Sequence, residues 1–437
     1  MAVKRTPEQE EVVKNRGGAL LVSAAAGSGK TRVLVERLMD YILQEGRNID
    51  EFLIITFTRA AAEELRARIA KEIAEALAAQ PDHAHLRQQT VRLYETQIST
   101  IHAFCTVLLR QWGHLLDIPG DFALCEDEEA QVLMTRTLNQ VLEARYEEID
   151  PTGPFARLLD VLSKGRDDSR LLEITLDIYG KIQSYPDPLA WLASQREALD
   201  LSAVTDVGQT PWGSLLLEEA GQTAAYWADQ MARACDLAQK EAGLEKAYGD
   251  SLQATRRSLE AFVQAAGTSW DEAARVEIVF PKLKAARGVE DPALQEQIKS
   301  IRARCKKAVE ELTQTVSGPS APLLADMALV YPAMLGLLDL VEDFSRAYEA
   351  AKKQRSLLDF SDLEHLAVRL LVDEAGGPTP LARQWGARYT EIMVDEYQDT
   401  NEVQNAIFRA VSGGGKHLFQ VGDVKQSIYR FRLADPT

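Results

Sequence analysis

Lys30 and Thr31, with Gly27 and Gly29 just before them, have the types and spacing of a loop that wraps phosphate. The stretch is Ala24, Ala25, Ala26, Gly27, Ser28, Gly29, Lys30, Thr31. The glycines let backbone N–H groups approach phosphate oxygens, and a following helix N-terminus adds a favourable dipole. Lys30 reaches the outer phosphates, and the Thr31 hydroxyl is a ligand for Mg²⁺. Ala24 stands where the general pattern G-x-x-x-x-G-K-[ST] has its first glycine, so that pattern is missed by one methyl group. Far downstream, Glu391-Ile-Met-Val-Asp-Glu-Tyr-Gln-Asp-Thr400 leads four strand-like residues into adjacent carboxylates. Asp395 at a strand end holds Mg²⁺, directly or through water, and Glu396 activates the attacking water. Together the two segments describe a chain that binds a nucleoside triphosphate and carries the groups to hydrolyse it.

The elements that position these residues follow from periodicity. Ala19-Leu-Leu-Val-Ser23 reads as a strand and Arg32-Val-Leu-Val-Glu-Arg-Leu-Met39 as a helix, the flanks a phosphate loop needs. Further β-like runs are Phe52–Thr56, Gln97–Thr100, Glu391–Val394 and His417–Val421. Helical stretches alternate with the first three, as in a parallel α/β sheet covered on both faces. Between the third and fourth runs lie almost 300 residues that read as nearly all helix, including Glu128–Glu147, Thr223–Glu245, Asp250–Ala265, Pro292–Val316 and Pro322–Gln354. No loop of a sheet protein is that long. The expected architecture is therefore an α/β core, residues 1–120 and 351–437, split by an all-helical insertion at 121–350.

Composition is that of an ordinary globular protein. No apolar run approaches the roughly 20 residues of a membrane span, and the N-terminus lacks a signal peptide's apolar core, so the expected location is cytoplasmic, with no membrane partner. Cys105, Cys125, Cys235 and Cys305 are scattered and read as buried free thiols. His83 and His85 do not make a ligand set. The net charge is −17, yet residues 1–120 carry 15 Lys/Arg against 15 Asp/Glu, so the acidic excess lies downstream. A local groove field decides nucleic-acid binding, and bulk charge does not exclude it. Lys282, Lys284, Arg287, Lys299, Arg302, Arg304, Lys306 and Lys307 form a basic stretch, read first as a solvated helix face and second as a DNA-backbone contact. Glu126-Asp-Glu-Glu129 reads as an acidic helix start.

Further segments carry a family resemblance. Ile54-Ile-Thr-Phe-Thr-Arg-Ala-Ala-Ala-Glu-Glu-Leu-Arg-Ala-Arg-Ile69 resembles motif Ia of superfamily 1 helicases of the UvrD/Rep/PcrA type. Thr100-Ile-His-Ala-Phe104 is similar to their T-x-H-x-F motif, and Leu358-Asp-Phe-Ser-Asp362 to D-F-x-D. Asp395-Glu-Tyr-Gln-Asp-Thr400 resembles D-E-x-Q-D, Ala24–Thr31 resembles A-x-x-G-x-G-K-T, and Val421-Gly-Asp-Val-Lys-Gln-Ser-Ile-Tyr-Arg-Phe-Arg432 resembles motif III. The family's own loop begins with alanine, which accounts for Ala24. Within the family the chain looks most like the AddA-like branch of helicase–nuclease proteins, with which the RecB branch shares much.

The resemblance implies a RecA-like P-loop NTPase fold with ATP and Mg²⁺ as cofactors. Gln9 matches the glutamine that reads adenine, whose edge an amide can pair. Arg32 looks like the nucleotide-contacting arginine. Gln426 matches the glutamine that senses the γ-phosphate and joins Lys30 and Glu396 in catalysis. Phe57, Thr58, His102, Phe360, Tyr429, Phe431 and Arg432 fall at single-strand-contacting positions, where rings suit sequence-independent stacking. Phe104 and Phe360 read equally well as core. Phe431 stands where relatives often carry Trp.

The implied activity is an ATP-dependent 3′→5′ DNA helicase or translocase of double-strand-break processing and recombinational repair. It would act on single-stranded and duplex DNA, with an AddB-like partner protein bound to the full-length form. Family members continue beyond motif III into a second motor domain and a nuclease domain, so the chain is expected to bind ATP–Mg²⁺ and single strands with little unwinding. The alternatives are a catalytically incomplete ATP- and strand-binding fragment, or an interaction subunit with a vestigial site. Lys30, Thr31, Asp395, Glu396 and Gln426 together weigh against the last.

Overall fold

Each of the five apolar runs becomes a strand of one parallel sheet. The computed structural model describes residues 5–25, 27, 29–163, 168–423 and 425. In chain order the strands are β1 (Gly18–Ser23), β2 (Phe52–Thr56), β3 (Gln97–Thr100), β4 (Ala123–Leu124), β5 (Leu357–Leu358), β6 (Glu391–Asp395) and β7 (His417–Gly422). The main sheet runs β1-β7-β6-β2-β3, every pair parallel, while β4 and β5 form a separate parallel pair. The order explains the burial. Central β2 and β6 are buried at every residue, whereas edge β3 alternates and edge β1 stays half open.

Side chains alternate between two apolar layers, as the two-residue period of a strand requires. Leu53, Ile55, Ile392, Val394 and Leu418 pack with helices Ile101–Trp112, Phe360–Leu371 and Glu402–Val411. Phe52, Ile54, Met393, Phe419 and Val421 pack with helices Lys30–Gln44 and Arg59–Ala79. Because all five strands are parallel, their carboxyl ends Ser23, Gly422, Asp395, Thr56 and Thr100 share one edge, where α/β sheets bind ligands.

The chain separates into two compact units. The first comprises Met1–Ile149, Leu162–Leu192 and Leu337–Thr437 and holds the sheet; the second comprises Asp150–Val161 and Ala193–Gly336. Helix Asp127–Glu147 lies in the first unit, and Asp127, Glu128 and Glu129 fill its first turn, where carboxylates suit the helix dipole.

The second unit is helical. Helix Pro211–Gln239 buries a stripe of small residues, Ala220, Ala224, Ala228, Ala234 and Ala238, which lets helix Ala242–Ala266 approach with Leu244, Tyr248, Leu252 and Phe262. The expected single helix Thr223–Glu245 is thus two. Glu241 is extended (φ −133°, ψ 120°) and turns the chain without proline, so periodicity gives no sign of the break. Within the basic stretch, Arg302 lies over Phe280 and Arg304 over Trp227, packing part of that charge on rings.

One expectation needs correction. Among the described residues, helix Ser320–Gln354 is long and apolar enough to cross a membrane by length and composition, with 33% of its most apolar window buried. Asp326, Pro332 and Asp339 interrupt the sequence, which hides the stretch from a search for unbroken apolar residues. Its Leu340, Val341, Phe344 and Tyr348 are packed inside the sheet-bearing unit. All four cysteines are buried and free. His83 caps helix Ala84–Arg92 by accepting from the Leu86 N–H, a structural task.

Candidate functional site

The phosphate loop leaves β1 tied to its neighbour, the Ala24 N–H donating to the Gly422 carbonyl of β7 at 3.0 Å. Gly27 (φ +73°) and Gly29 (φ +88°) take the left-handed conformation that side chains resist, and Gly29 caps helix Lys30–Gln44. Ala24 is half-buried and Ala25 exposed. Ala26 and Ser28 lie outside the described residues.

Across the loop stands the end of β6. Lys30 Nζ donates to Glu396 Oε2 at 3.0 Å, and the Thr31 hydroxyl donates to Asp395 Oδ2 at 3.2 Å. The sequence separates these partners by more than 360 residues, and the β1-β7-β6 order brings them together. Burial raises the Asp395 carboxyl above its usual range, helped by the adjacent Glu396 charge and opposed by the Glu396 N–H, Thr31 and Lys30. A hard cation would relieve that excess negative charge. A hydroxyl and a carboxylate oxygen side by side are the donors Mg²⁺ takes, with phosphate oxygens and water completing its shell. Thr31 and Asp395 therefore fit the metal that the loop calls for. Among the described residues, no group of three His, Cys, Asp or Glu forms a metal site of its own.

Glu396 is held unusually for a residue with a side chain. Its backbone is left-handed (φ +54°, ψ 44°), a conformation that costs of order 1–3 kcal/mol and concentrates at active sites. Gln398 steadies it: Nε2 donates to Glu396 Oε2 at 2.7 Å, while Gln398 Oε1 accepts from the Asp423 N–H at 2.9 Å. This amide joins the water-activating carboxylate to the residue after β7. The turn passes so close to Gly422 that a Cβ there would lie 2.7 Å from Gln398 Oε1. Gln398 belongs to the D-E-x-Q-D pattern, yet the sequence alone assigns it no task. Only the fold shows what its two ends touch.

The Gln9 oxygen accepts from the Thr6 N–H at 3.1 Å, closing a capping box that fixes the amide at the start of helix Pro7–Lys14. That helix is anchored by Arg37, fully buried, which donates to the Val12 carbonyl and bidentately to Glu391 at 2.8 and 2.6 Å. Arg32 Nε donates to Glu36 at 2.6 Å, and Arg5 Nε binds the same carboxylate at 2.7 Å. Sequence reading missed Arg37 and Glu391, because nothing local marks a charged pair whose members are buried on separate elements.

Beside the metal pair lies a cleft of ≈ 390 Å³ lined by Thr31, Asp395, Gln398, Thr56, Phe57 and Thr58. Phe57 is half-buried there. Thr58 is exposed and caps helix Arg59–Ala79 through its hydroxyl. His102 and Phe360 meet edge to face with centroids 5.1 Å apart, both half-buried. Phe104 is 1% exposed and packs on Trp385, so it belongs to the core. Phe360 is positioned by a buried ion cluster that the sequence did not signal. Lys352 Nζ donates to Asp359 at 2.8 Å and Asp362 at 2.6 Å, and these two aspartates close the capping box of helix Phe360–Leu371. Gln426, Tyr429, Phe431 and Arg432 lie outside the described residues.

A parallel sheet with a glycine-bent loop on one strand end and an Asp–Glu pair on another defines a P-loop nucleotide-binding domain of the RecA-like α/β class, interrupted by a helical insertion. Comparison with known proteins narrows this further. A profile of the UvrD/REP helicase N-terminal domain matches residues 5–437. The chain belongs to the UvrD/REP helicase family, through that N-terminal domain. It is similar to the A chain of the ATP-dependent helicase/nuclease of Heliobacterium modesticaldum, 37% identical over 99% of this chain and 33% of the relative. The corresponding proteins from Lachnoclostridium phytofermentans and Geobacillus kaustophilus are each 37% identical over 99% of this chain, covering 32% and 36% of their own lengths. The chain spans about a third of the length of these relatives.

Proposed function

We propose that this chain is the nucleotide- and strand-binding part of an ATP-driven DNA helicase or translocase, working 3′→5′ in double-strand-break processing. The observation that carries the reading is the double pairing of Lys30 with Glu396 and Thr31 with Asp395 at the shared strand edge. Lys30 would hold the outer phosphates of ATP, and Thr31 and Asp395 would hold Mg²⁺. Glu396 would accept the proton of the attacking water, with Gln398 fixing its carboxylate. Gln9 and Arg32 would contact the nucleotide. Phe57, Thr58, His102 and Phe360 would contact single-stranded DNA beside it. The relatives are named as one component of a helicase/nuclease, which supports assembly with a second, AddB-like protein.

The test is ATP turnover with and without oligo-dT, for the unsubstituted chain, Lys30→Ala and Glu396→Gln. Turnover that single strands stimulate is expected. Each substitution should lower it by about 10²–10⁴-fold, the range for losing a charge-stabilising donor or a general base. Nucleotide binding without turnover in the unsubstituted chain would favour the second reading, a holding module for nucleotide and strand. Failure to bind nucleotide at all would sink both.

A further inference from the structure

The side chain of Glu364 sits between the two halves of the proposed machinery. It is 5% exposed, one turn along helix Phe360–Leu371 from Phe360. A single oxygen, Oε1, takes two partners: Gln404 Nε2 donates to it at 2.8 Å, and His102 Nε2 lies 3.1 Å away. A carboxylate only accepts, so His102 must carry its proton on Nε2, which sets the tautomer and the ring plane. That ring is the one packed edge-on against Phe360. The charge of Glu364 is also felt one turn beyond His102, where the Cys105 thiol is pushed well up by burial first and by Glu364 second.

Gln404 belongs to helix Glu402–Val411, which begins directly after the Asp395–Thr400 segment. Asn401 caps that helix, its Oδ1 accepting from the Gln404 N–H at 2.9 Å. A short covalent and hydrogen-bonded path thus runs from the Asp-Glu turn through Asn401, Gln404 and Glu364 to His102. The margin in it is small. Bonds of 2.8 and 3.1 Å to one atom are lost near 3.5 Å, so a relative shift of about half an ångström breaks one of them.

We propose that Glu364 is a positioning residue that couples single-strand engagement at His102 and Phe360 to the nucleotide site through Gln404. The inference rests on the single-strand reading of His102 and Phe360 above. Neither Glu364 nor Gln404 touches nucleotide or strand; they transmit the position of the Asp-Glu turn to the ring that does. Linkage then requires that nucleotide change strand affinity and that strand change nucleotide affinity by the same factor.

The experiment measures anisotropy of a fluorescein-labelled dT oligomer on the full chain, without nucleotide and with saturating Mg²⁺–AMP-PNP. The unsubstituted chain should show affinities that differ by about fivefold or more between the two conditions, the lower end of typical couplings. In Gln404→Ala the difference should fall below about twofold while nucleotide-free affinity is nearly unchanged, since the His102–Glu364 contact survives. In Glu364→Ala both the difference and the nucleotide-free affinity should drop. A merely structural Gln404 would lower stability and leave the ratio alone. A ratio retained in Gln404→Ala, or absent from the unsubstituted chain, overturns the coupling. Absence of oligomer binding by the unsubstituted chain overturns the strand reading itself, and the coupling with it. If Glu364→Ala does not fold, the half-buried Gln404 position still decides.

Discussion

Replacing Arg37 by methionine removes the cation that faces Glu391 and leaves a carboxylate buried at 5% side-chain exposure, with the Tyr41 hydroxyl at 3.1 Å as its remaining neutralising contact. Stranding one charge of a buried pair costs about 3–5 kcal/mol, whereas replacing both members with apolar groups is often neutral. The sheet-bearing unit holds roughly 280 residues, so its unfolding entropy is about 0.6 kcal/mol per kelvin and the melting point should fall by about 5–8 °C. The double variant Arg37→Met/Glu391→Leu should return to within about 1 kcal/mol of the parent. Differential scanning calorimetry of the two singles and the double closes the cycle. A second readout is Tyr41, whose phenol is pushed up to about 12 by burial first and the Glu391 charge second. Its titration should move down in Glu391→Leu without reaching the ordinary tyrosine value. Arg37→Met within about 1 kcal/mol of the parent, or a double variant as unstable as the single, would refute the reasoning.

Two other perturbations test the site and its support. Gly422→Ala forces a methyl against Gln398 Oε1 at 2.7 Å and Gln398 N at 3.1 Å, so it should cost about 1–3 kcal/mol and pull Gln398 from Glu396. Turnover should fall with nucleotide affinity little changed; a loss of affinity with normal turnover would contradict this. Asp362 has its carboxyl pushed up to about 6 by burial, with the Asp359 charge adding to the rise and Lys352 opposing it. The proton it holds stabilises the fold fully below about pH 4, and that contribution is lost as pH rises through about 6. The stability of the parent minus that of Asp362→Asn should therefore fall between pH 4 and 7 in denaturant titrations, and a flat difference would count against it.

What could be seen in advance was what is local or repeats with a short period. The runs at Ala19, Phe52, Gln97, Glu391 and His417 all became strands, because four or five apolar residues between turn signals leave few other structures open. Lys30, Thr31, Asp395 and Glu396 were legible because each sits at a strand end, and a parallel sheet aligns strand ends whatever the intervening length. The interactions that hold them were not. Arg37 with Glu391, Lys352 with Asp359 and Asp362, and Glu364 with His102 and Gln404 are contacts between charged or polar residues on separate segments, each of which alone looks like a solvated helix position. The pair β4–β5 escaped notice for a similar reason. Two residues on each side make no pattern, and Ala123–Leu124 finds Leu357–Leu358 only after the insertion has been built.

The strand order also sets a timetable for synthesis. β2 and β3 can meet once the first hundred residues exist, but β1 has a single neighbour in the sheet, and Gly18 pairs with His417. At about 5–20 residues per second, the loop of Lys30 waits roughly 20–80 s for the strand that fixes it. The site for ATP is thus absent from every nascent chain until the helical insertion has left the ribosome. A lesion that stalls translation or misfolds the insertion would yield a protein blind to nucleotide, whatever the condition of the loop itself.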